Sequence, residues 1–258
     1  MGRPFVLTEA QQQEATRLCA GGWSLSKCAE LFGCAASTIM LVLVRAGIPR
    51  RDRVKRCFVN GDYFAKIDTE DKAYWLGFLT ADGYVKPGCV ALALQLRDAA
   101  HIAAYAAAVE STYAIWRNAS ACGTTICSEL FSEHLGRLGL DRNKSTTATP
   151  IAVPAELCRH YWRGLVDGDG CVWNYKVPGV RLCGTHAIVQ GFADAVEAVL
   201  GIVPRKVRPQ ASIWTTTYQG RSAQEVIAWL YSGARVSLRR KARRADEAVM
   251  ARLSEVLC

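Results

Sequence analysis

The sequence predicts an α+β protein in which two αββαββα half-domains, related by a pseudo-twofold axis, follow a small all-α domain. Three observations lead to this prediction. A segment that ends near Asp82 returns near Asp169, 87 residues later, and each copy is followed by the same order of strand-like and helix-like patterns. The residues before the first copy carry helix signals only.

The first domain, residues 1–49, is predicted to be a helix-turn-helix unit. Capping residues and glycines bound its three helices, namely Thr8, the pair Gly21–Gly22, Ser24 or Ser26, Gly33, Ser37 with Thr38, and Gly47. Two short helices across a glycine-containing turn are typical of a motif that reads DNA. The pattern therefore predicts that Ser37, Thr38, Leu41 and Arg45 lie on a reading helix.

The positive charge of the chain is concentrated at its two ends. The net charge is +9; residues 1–58 carry nine Lys or Arg against four Asp or Glu, and residues 235–258 carry seven against three. Basic arms beside a neutral body suit a polyanion, of which nucleic acid is the simplest. The linker, residues 50–58, is predicted to hold phosphates through Arg50, Arg51, Arg53, Lys55 and Arg56.

The two half-domains are predicted over residues 59–150 and 151–258. After each repeated segment come two hairpin-like pairs of runs and intervening helices. In the first half the strands are expected at 84–86, 90–96, 113–117 and 121–126, and the helices at 98–110 and 128–138. In the second half the strands are expected at 171–175, 180–183, 205–207 and 212–218, and the helices at 187–200, 222–230 and 237–256.

The repeated segments are predicted to be helices that pair with each other. Their small residues, among them Gly77 and Gly164, let two helix backbones approach closely. Pairing brings Asp82 and Asp169 together where both helix dipoles are negative, so a hard divalent cation such as Mg²⁺ is needed to relieve the repulsion. Gly83 and Gly170 are expected to leave the helices through a left-handed conformation.

The repeated segments resemble the motif of the LAGLIDADG homing endonucleases, in the single-chain form with two copies. Leu76-Gly-Phe-Leu-Thr-Ala-Asp-Gly83 and Arg163-Gly-Leu-Val-Asp-Gly-Asp-Gly170 carry the match, which covers roughly residues 58–250. Thr80 and Arg163 depart from the usual pattern, but neither departure touches the last aspartate. The resemblance implies two antiparallel sheets that form a saddle along the DNA major groove, and a double-strand cut at a long target.

The resemblance also implies the residues of the site. Asp82 and Asp169, with Ala81 and Gly168 beside them, would bind two or three Mg²⁺ ions, for which Mn²⁺ can substitute. Lys144 and Lys241 match the family's closing blocks of each half and would stand near the scissile phosphates, where they polarise water or stabilise developing charge.

The strands are predicted to read the bases, because alternation places every second side chain on the concave face. A slip of one residue in the register would exchange the whole set. The chosen candidates are Arg117, Arg181, Arg205, Trp214, Thr216 and Tyr218.

Two other functions stay open at this point: a DNA-binding regulator that keeps the fold without cleaving, and an RNA maturase that assists intron splicing. A calcium loop at Asp167 is rejected, since Pro178 stands where an EF-hand needs Glu. Asp167 is instead expected on the helix surface or in a supporting role, and the four histidines are expected to be surface or capping groups.

The eleven cysteines contain no CxxC pair and are expected to be reduced thiols. The sequence shows neither a membrane-length apolar run nor a signal peptide. We therefore expect a cytoplasmic monomer that binds double-stranded DNA, or RNA if it is a maturase, and no membrane.

Overall fold

The computed structural model describes residues 7–48, 57–140, 144–203 and 206–256. The chain divides into two compact units, Met1–Arg56 and Cys57–Cys258, and each has a hydrophobic core of its own. Several predicted nucleic-acid contacts lie outside the described residues and stay predictions: Arg50, Arg51, Arg53, Lys55, Arg56 and Arg205.

The first unit contains three helices, α1 (Glu9–Ala20), α2 (Leu25–Leu31) and α3 (Ala36–Arg45). The Thr8 and Gln11 side chains cap α1 reciprocally, and the Ser24 side chain caps α2, as the sequence predicts. The chain bends by 107° between α2 and α3. Gly33 lies in this turn with φ +62°, in the left-handed region that glycine enters without strain.

Among the described helices, none by itself has the length and apolar character needed to cross a membrane, and α2 with α3 pass that test only as a bent pair.

The second unit contains two half-domains of the same design, so the αββαββα prediction is confirmed. The first consists of α4 (Glu70–Asp82), β1 (Gly83–Lys86), β2 (Cys89–Gln95), α5 (Ala99–Ala108), β3 (Ile115–Arg117), β4 (Ala121–Ile126) and α6 (Glu129–Arg137). The short helix α7 (Lys144–Thr147) precedes the second, which consists of α8 (Cys158–Asp169), β5 (Gly170–Asn174), β6 (Pro178–Gly184), α9 (His186–Leu200), β7 (Arg208–Gln210), β8 (Ile213–Gln219), α10 (Arg221–Tyr231) and α11 (Arg239–Val256).

Each half-domain forms a four-stranded antiparallel sheet among the described residues, in the orders β1-β2-β4-β3 and β5-β6-β8-β7. One face of each sheet is buried: Val90 and Leu92 in the first sheet and Val180 and Leu182 in the second belong to the core. The opposite face, which we call the outer face, carries the residues that alternate with these. Apolar burial on one face only fixes the register of both sheets.

The structure corrects the set of strand residues that was predicted to face DNA. Thr216 and Tyr218 are buried in the core, and Trp214 shares their side of β8 and packs edge-on against His186, with ring centroids 4.6 Å apart. Arg117 lies opposite the buried Cys122, on the core-facing side of an edge strand, but its side chain is exposed and its contact with DNA stays a prediction. The assignments of Thr216, Tyr218 and Trp214 to the DNA-facing side were wrong by one residue, whereas Arg181, opposite Thr217, does lie on an outer face.

Strand β7 also differs from the prediction, because it spans Arg208–Gln210 instead of 205–207. Its position is set by the tight turn at Ala211, which has φ 52°, and this turn brings Arg208 opposite Thr215. Pro209 is compatible with β7 because β7 is an edge strand, in which alternate N–H groups face away from the ladder.

Candidate active site at the paired helix ends

Helices α4 and α8 pack against each other backbone to backbone. A Cβ atom added at Gly77 would lie 2.0 Å from the Tyr161 carbonyl oxygen, and one added at Gly164 would lie 2.2 Å from the Tyr74 carbonyl oxygen. No side chain fits in these gaps, so glycine at both positions is what allows the close pairing that the motif predicts. The two half-domains therefore meet along these helices.

Asp82 and Asp169 are the last residues of α4 and α8, and both are accessible to solvent. The following glycines are extended, Gly83 with φ −72° and Gly170 with φ −100°, so the predicted left-handed exit was wrong. Glycine is required for a different reason. A Cβ atom would lie 2.6 Å from the Leu79 carbonyl oxygen at Gly83 and 2.5 Å from the Val166 carbonyl oxygen at Gly170.

Both carboxylates are costly to ionise at the helix ends. Burial against the helix ends, and then the neighbouring Asp169 carboxylate, raise the pKa of Asp82 to about 6. Burial likewise raises the pKa of Asp169. A pair of ionised acids at two negative helix ends is unfavourable by itself, and a bound cation would remove that penalty.

Clefts open on both sides of the helix ends. Asp82 lines a groove of about 810 Å³ together with Gly168 and Arg240, whereas Asp169 lines a cavity of about 210 Å³ together with Ala81 and Lys144. Each aspartate thus shares its cleft with the residue that precedes the other aspartate. Both candidate centres are therefore built from both half-domains.

Lys144 and Lys241 contact the carbonyl ends of the two helices. The Lys144 ammonium group donates to the carbonyl oxygens of Thr80, at 2.8 Å, and Ala81. The Lys241 ammonium group is almost completely buried, and it donates to the carbonyl oxygens of Asp167 at 2.6 Å and Gly170 at 2.6 Å. Each lysine therefore offsets the negative end of the motif helix in its own half-domain.

The lysines are also the cations that act most strongly on the aspartates of the opposite halves. Lys241 counteracts the rise in the pKa of Asp82 more than Lys144 does, and the order is reversed for Asp169. Burial lowers the pKa of Lys241 to about 8 and also lowers that of Lys144. Whether either ammonium group reaches a phosphate stays a prediction.

The residues present suit a cation that takes few protein ligands. Among the parts of the chain that the structure describes, no three His, Cys, Asp or Glu side chains gather as a metal site. The side-chain ligands at the helix ends are the carboxylates of Asp82 and Asp169. The nearby carbonyl oxygens of Ala81 and Gly168 accept hydrogen bonds from the two lysines. This donor set fits Mg²⁺, which commonly binds through one or two carboxylates, with phosphate and water oxygens completing its shell.

Asp167 lies in the core and not on the helix surface. Its carboxylate, which is 1% exposed, accepts hydrogen bonds from the Tyr74 hydroxyl at 2.8 Å, the Tyr231 hydroxyl at 2.7 Å and the Leu238 amide at 2.6 Å. It therefore acts as a supporting carboxylate that joins α4, α8 and α10 to the segment leading into Lys241.

A buried ion pair supports the same segment. The fully buried Arg163 guanidinium donates to the Glu70 carboxylate at 2.7 Å and to the Val236 carbonyl oxygen at 2.9 Å. The same Glu70 oxygen accepts the Arg235 amide at 2.7 Å. The sequence did signal these roles, since Arg163 and Asp167 are charges within a repeat whose matching positions, Leu76 and Thr80, are uncharged.

Two histidines differ from the prediction of surface groups, because His101 and His160 are buried. His101 lies 2.9 Å from the Tyr74 hydroxyl, and His160 lies 2.9 Å from the Arg163 guanidinium. Burial lowers the pKa of each to about 4. They belong to the buried polar network around the helix pair.

In the first unit, three of the four residues predicted to contact DNA are exposed on α3. Ser37, Leu41 and Arg45 are exposed, whereas Thr38 is half-buried. Their spacing of four residues places the exposed three in one row along the helix. Whether this row contacts DNA stays a prediction.

The chain is similar in structure to LAGLIDADG homing endonucleases. The LAGLIDADG homing endonuclease I-GzeII in complex with its DNA target aligns over 71% of this chain and 91% of its own, with a TM-score of 0.52 and 11% identity. I-SmaMI, bound to an uncleaved DNA target in the presence of calcium ions, aligns over 74% of this chain and 94% of its own, with a TM-score of 0.50 and 10% identity.

This chain has the LAGLIDADG homing endonuclease fold. The resemblance seen in the two motif copies is thereby confirmed for the architecture, and the similarity to these structures extends no further than that. No model of a protein family matches the chain, and no curated protein sequence matches it.

Proposed function

We propose that this protein is a sequence-specific DNA endonuclease that cuts both strands of a long target with the help of divalent cations. The observation that carries the proposal is the pair of solvent-accessible aspartates at the ends of α4 and α8, in a fold shared with DNA-bound endonucleases. One chain supplies both half-domains, so a monomer suffices.

The residues at the helix ends divide the work. Asp82 and Asp169 would hold Mg²⁺, which when bound stabilises negative charge on the attacking and leaving oxygens of a phosphodiester. Lys144 and Lys241 hold the helix termini that carry these aspartates and offset their negative dipoles. The outer faces of the two sheets would orient the duplex so that each scissile phosphate meets one aspartate.

The first unit would lengthen the DNA sequence that the protein contacts. Its bent α2–α3 pair has the geometry of a helix-turn-helix motif, and the basic residues at positions 50–56 follow directly in the chain. A basic extension beside a reading helix is a common way to reach phosphates or a minor groove. We assign these residues to phosphate binding and α3 to base contact.

The decisive experiment separates cutting from binding. We expect Asp82→Asn and Asp169→Asn each to abolish double-strand cleavage of a plasmid that carries a duplex selected by the protein, in the presence of Mg²⁺. Both variants should still bind that duplex in a mobility-shift titration. Asp194→Asn, at an exposed site on α9, is the matched control and should cut like the parent protein.

Full cleavage by either of the two site variants would contradict the proposed site. Binding without any cleavage by the parent protein would indicate a regulator, and restoration of splicing of an intron RNA would indicate a maturase.

A further inference from the structure

The two sheets can be compared position by position, because their registers match. Gly83 lies opposite Leu92 in the first sheet, and Gly170 lies opposite Leu182 in the second. Leu92 in turn lies opposite Thr124, and Leu182 lies opposite Thr216. Counting from these anchors pairs each outer-face residue of one sheet with a residue of the other.

The central strands of the two outer faces differ in chemistry. In the first sheet, four neighbouring outer positions of β2 and β4 carry Ala91, Ala93, Ala121 and Gly123. The matching positions of β6 and β8 carry Arg181, Cys183, Ile213 and Thr215. Two small residues of the first sheet therefore stand where the second sheet has a guanidinium and a hydroxyl group.

The edge strands β3 and β7 widen this difference, whereas β1 and β5 act against it, because Tyr84 and Lys86 of β1 match Cys171 and Trp173 of β5. The Trp173 ring covers Gly179 of the second outer face. Trp116 of β3 lies opposite Gly123, and a Cβ atom added at Gly123 would come within 2.6 Å of the Trp116 ring, so the indole covers the middle of the first outer face. The position that matches Trp116 in the second sheet is Arg208, opposite Thr215. The polar residues of the first outer face are Tyr84, Lys86, Gln95 and Thr125, of which Thr125 lies opposite Ala91 and Gln95 lines the groove beside Asp82.

The second outer face forms a groove rich in hydrogen-bonding groups. This groove has a volume of about 690 Å³ and is lined by Arg181, Lys206, Arg208, Gln210, Thr215, Thr217 and Gln219. The Arg181 Nε atom donates to the Thr217 hydroxyl at 3.1 Å, which holds the guanidinium on the outer face. Arginine and glutamine are the side chains that form paired hydrogen bonds with guanine and adenine edges.

We propose that the two halves of the DNA target are read unequally. The half-site under the second sheet is selected by hydrogen bonds from Arg181, Arg208 and their neighbours to base edges. The half-site under the first sheet is bound through contacts of Ala91, Ala93 and Trp116 that discriminate weakly, such as contacts with thymine methyl groups. This inference rests on the proposed function, since it requires that the outer faces lie against a duplex.

Binding selection from a randomised duplex library tests the inference without any need for cleavage. We expect the parent protein to enrich duplexes in which one half-site has several strongly preferred bases and the other has few. Changing a preferred base in the strong half-site should weaken binding roughly tenfold or more, and changes in the other half should have much smaller effects. The selection uses the full chain in Ca²⁺.

A reciprocal pair of variants identifies which sheet lies on which half-site. Arg181→Ala should erase the preference at one position of the strong half-site, while Ala91→Arg, at the matching position of the first sheet, should create a new preference in the weak half-site. Arg137→Ala, an exposed arginine on α6, is the control and should leave the selected sequences unchanged. Circular dichroism melting checks that each variant folds.

The outcomes separate the inference from the function on which it rests. Equal preference in both half-sites, with duplexes enriched, would overturn the inference and leave DNA binding intact. A preference lost from the weaker half-site in Arg181→Ala would also overturn it. Failure of the folded parent protein to enrich any duplex would overturn both.

Discussion

The ionised form of Asp82 destabilises the fold at neutral pH. Its pKa in the folded chain is raised to about 6, above the value near 3.9 that aspartate has when unfolded. A carboxyl group whose pKa rises on folding stabilises the fold most below the unfolded value, and this contribution is lost as the pH rises through the folded value. Ionised Asp82 therefore lowers the free energy of unfolding of the metal-free protein at neutral pH.

This leads to a prediction for the metal-free protein. Asp82→Asn should raise the melting temperature in EDTA at pH 7.5, because it removes a charge that is poorly solvated and lies near the Asp169 carboxylate, and the gain should vanish near pH 4. Thermal melting across that pH range measures it, with Asp194→Asn as the control for loss of an exposed carboxylate. A lower melting temperature at pH 7.5 than that of the parent would show that the two aspartates do not strain each other.

Asp167 differs from Asp82 in its partners: burial raises its pKa too, but its carboxylate accepts three hydrogen bonds inside the fold. Asp167→Asn would place an amide among three donors, the Tyr74 and Tyr231 hydroxyls and the Leu238 amide. Leaving buried donors without an acceptor is costly, and we expect a loss of about 2–4 kcal/mol in the free energy of unfolding. Urea denaturation measures it, and a loss no larger than that of Asp194→Asn would contradict the supporting role.

At the scale of elements, the helix pair depends on glycine where α4 and α8 cross. Gly164→Ala would force a methyl group against the Tyr74 carbonyl oxygen and the Phe78 amide, so we expect a loss of about 1–3 kcal/mol or more. Gly136→Ala is the matched control, because nothing lies within 4 Å of a Cβ atom there, and it should gain up to about 1 kcal/mol. Equal effects of the two changes in urea denaturation would mean that the helices can separate at little cost.

The elements themselves could be predicted from the sequence, because helix caps, hairpin turns and the repeat are local signals. Strand register could not. The outer face of β8 depends on where the turn at Ala211 starts the strand, and a one-residue error put Thr216 and Tyr218 on the wrong side. Thr-Thr-Thr at 215–217 offers no hydrophobic alternation that would have revealed the error.

The candidate site could be predicted in part for the same reason. The repeat identified Asp82 and Asp169, since both end the same pattern at the same place. The contacts of Lys144 and Lys241 with helix carbonyls depend on chain segments that return from far along the sequence, and no local pattern shows such a return. The same is true of the pair formed by Arg163 and Glu70, which lie 93 residues apart.

At the scale of the whole molecule, most of the excess positive charge of the first unit follows its three described helices in the sequence. Residues 7–48 carry three Lys or Arg and three Asp or Glu, whereas residues 49–56 carry five against one. The helical part of the unit is therefore neutral. The linker is the part of the first unit that can add most to electrostatic binding of a duplex.

Replacing Arg50, Arg51, Arg53, Lys55 and Arg56 by serine should weaken DNA binding and reduce its dependence on salt. If all five residues contact phosphates, the slope of log affinity against log salt should fall in magnitude by about 4. Fluorescence anisotropy titrations between 50 and 300 mM KCl measure the slope. The control is a variant in which serine replaces Arg17, Lys27 and Arg137, and its slope should stay close to that of the parent protein.

An unchanged slope in the linker variant would show that the linker takes no part in binding.

The division of each sheet into a buried face and an outer face has a consequence for how such a protein can change by mutation. Arg181, Arg208 and Ala91 add little to the core, so exchanging them would leave the fold almost unchanged. The glycines between the helices have no such freedom, because any side chain there would meet the opposing backbone. Under the proposed function, a related protein could acquire a new DNA target through substitutions on the outer faces alone, with the paired aspartates kept.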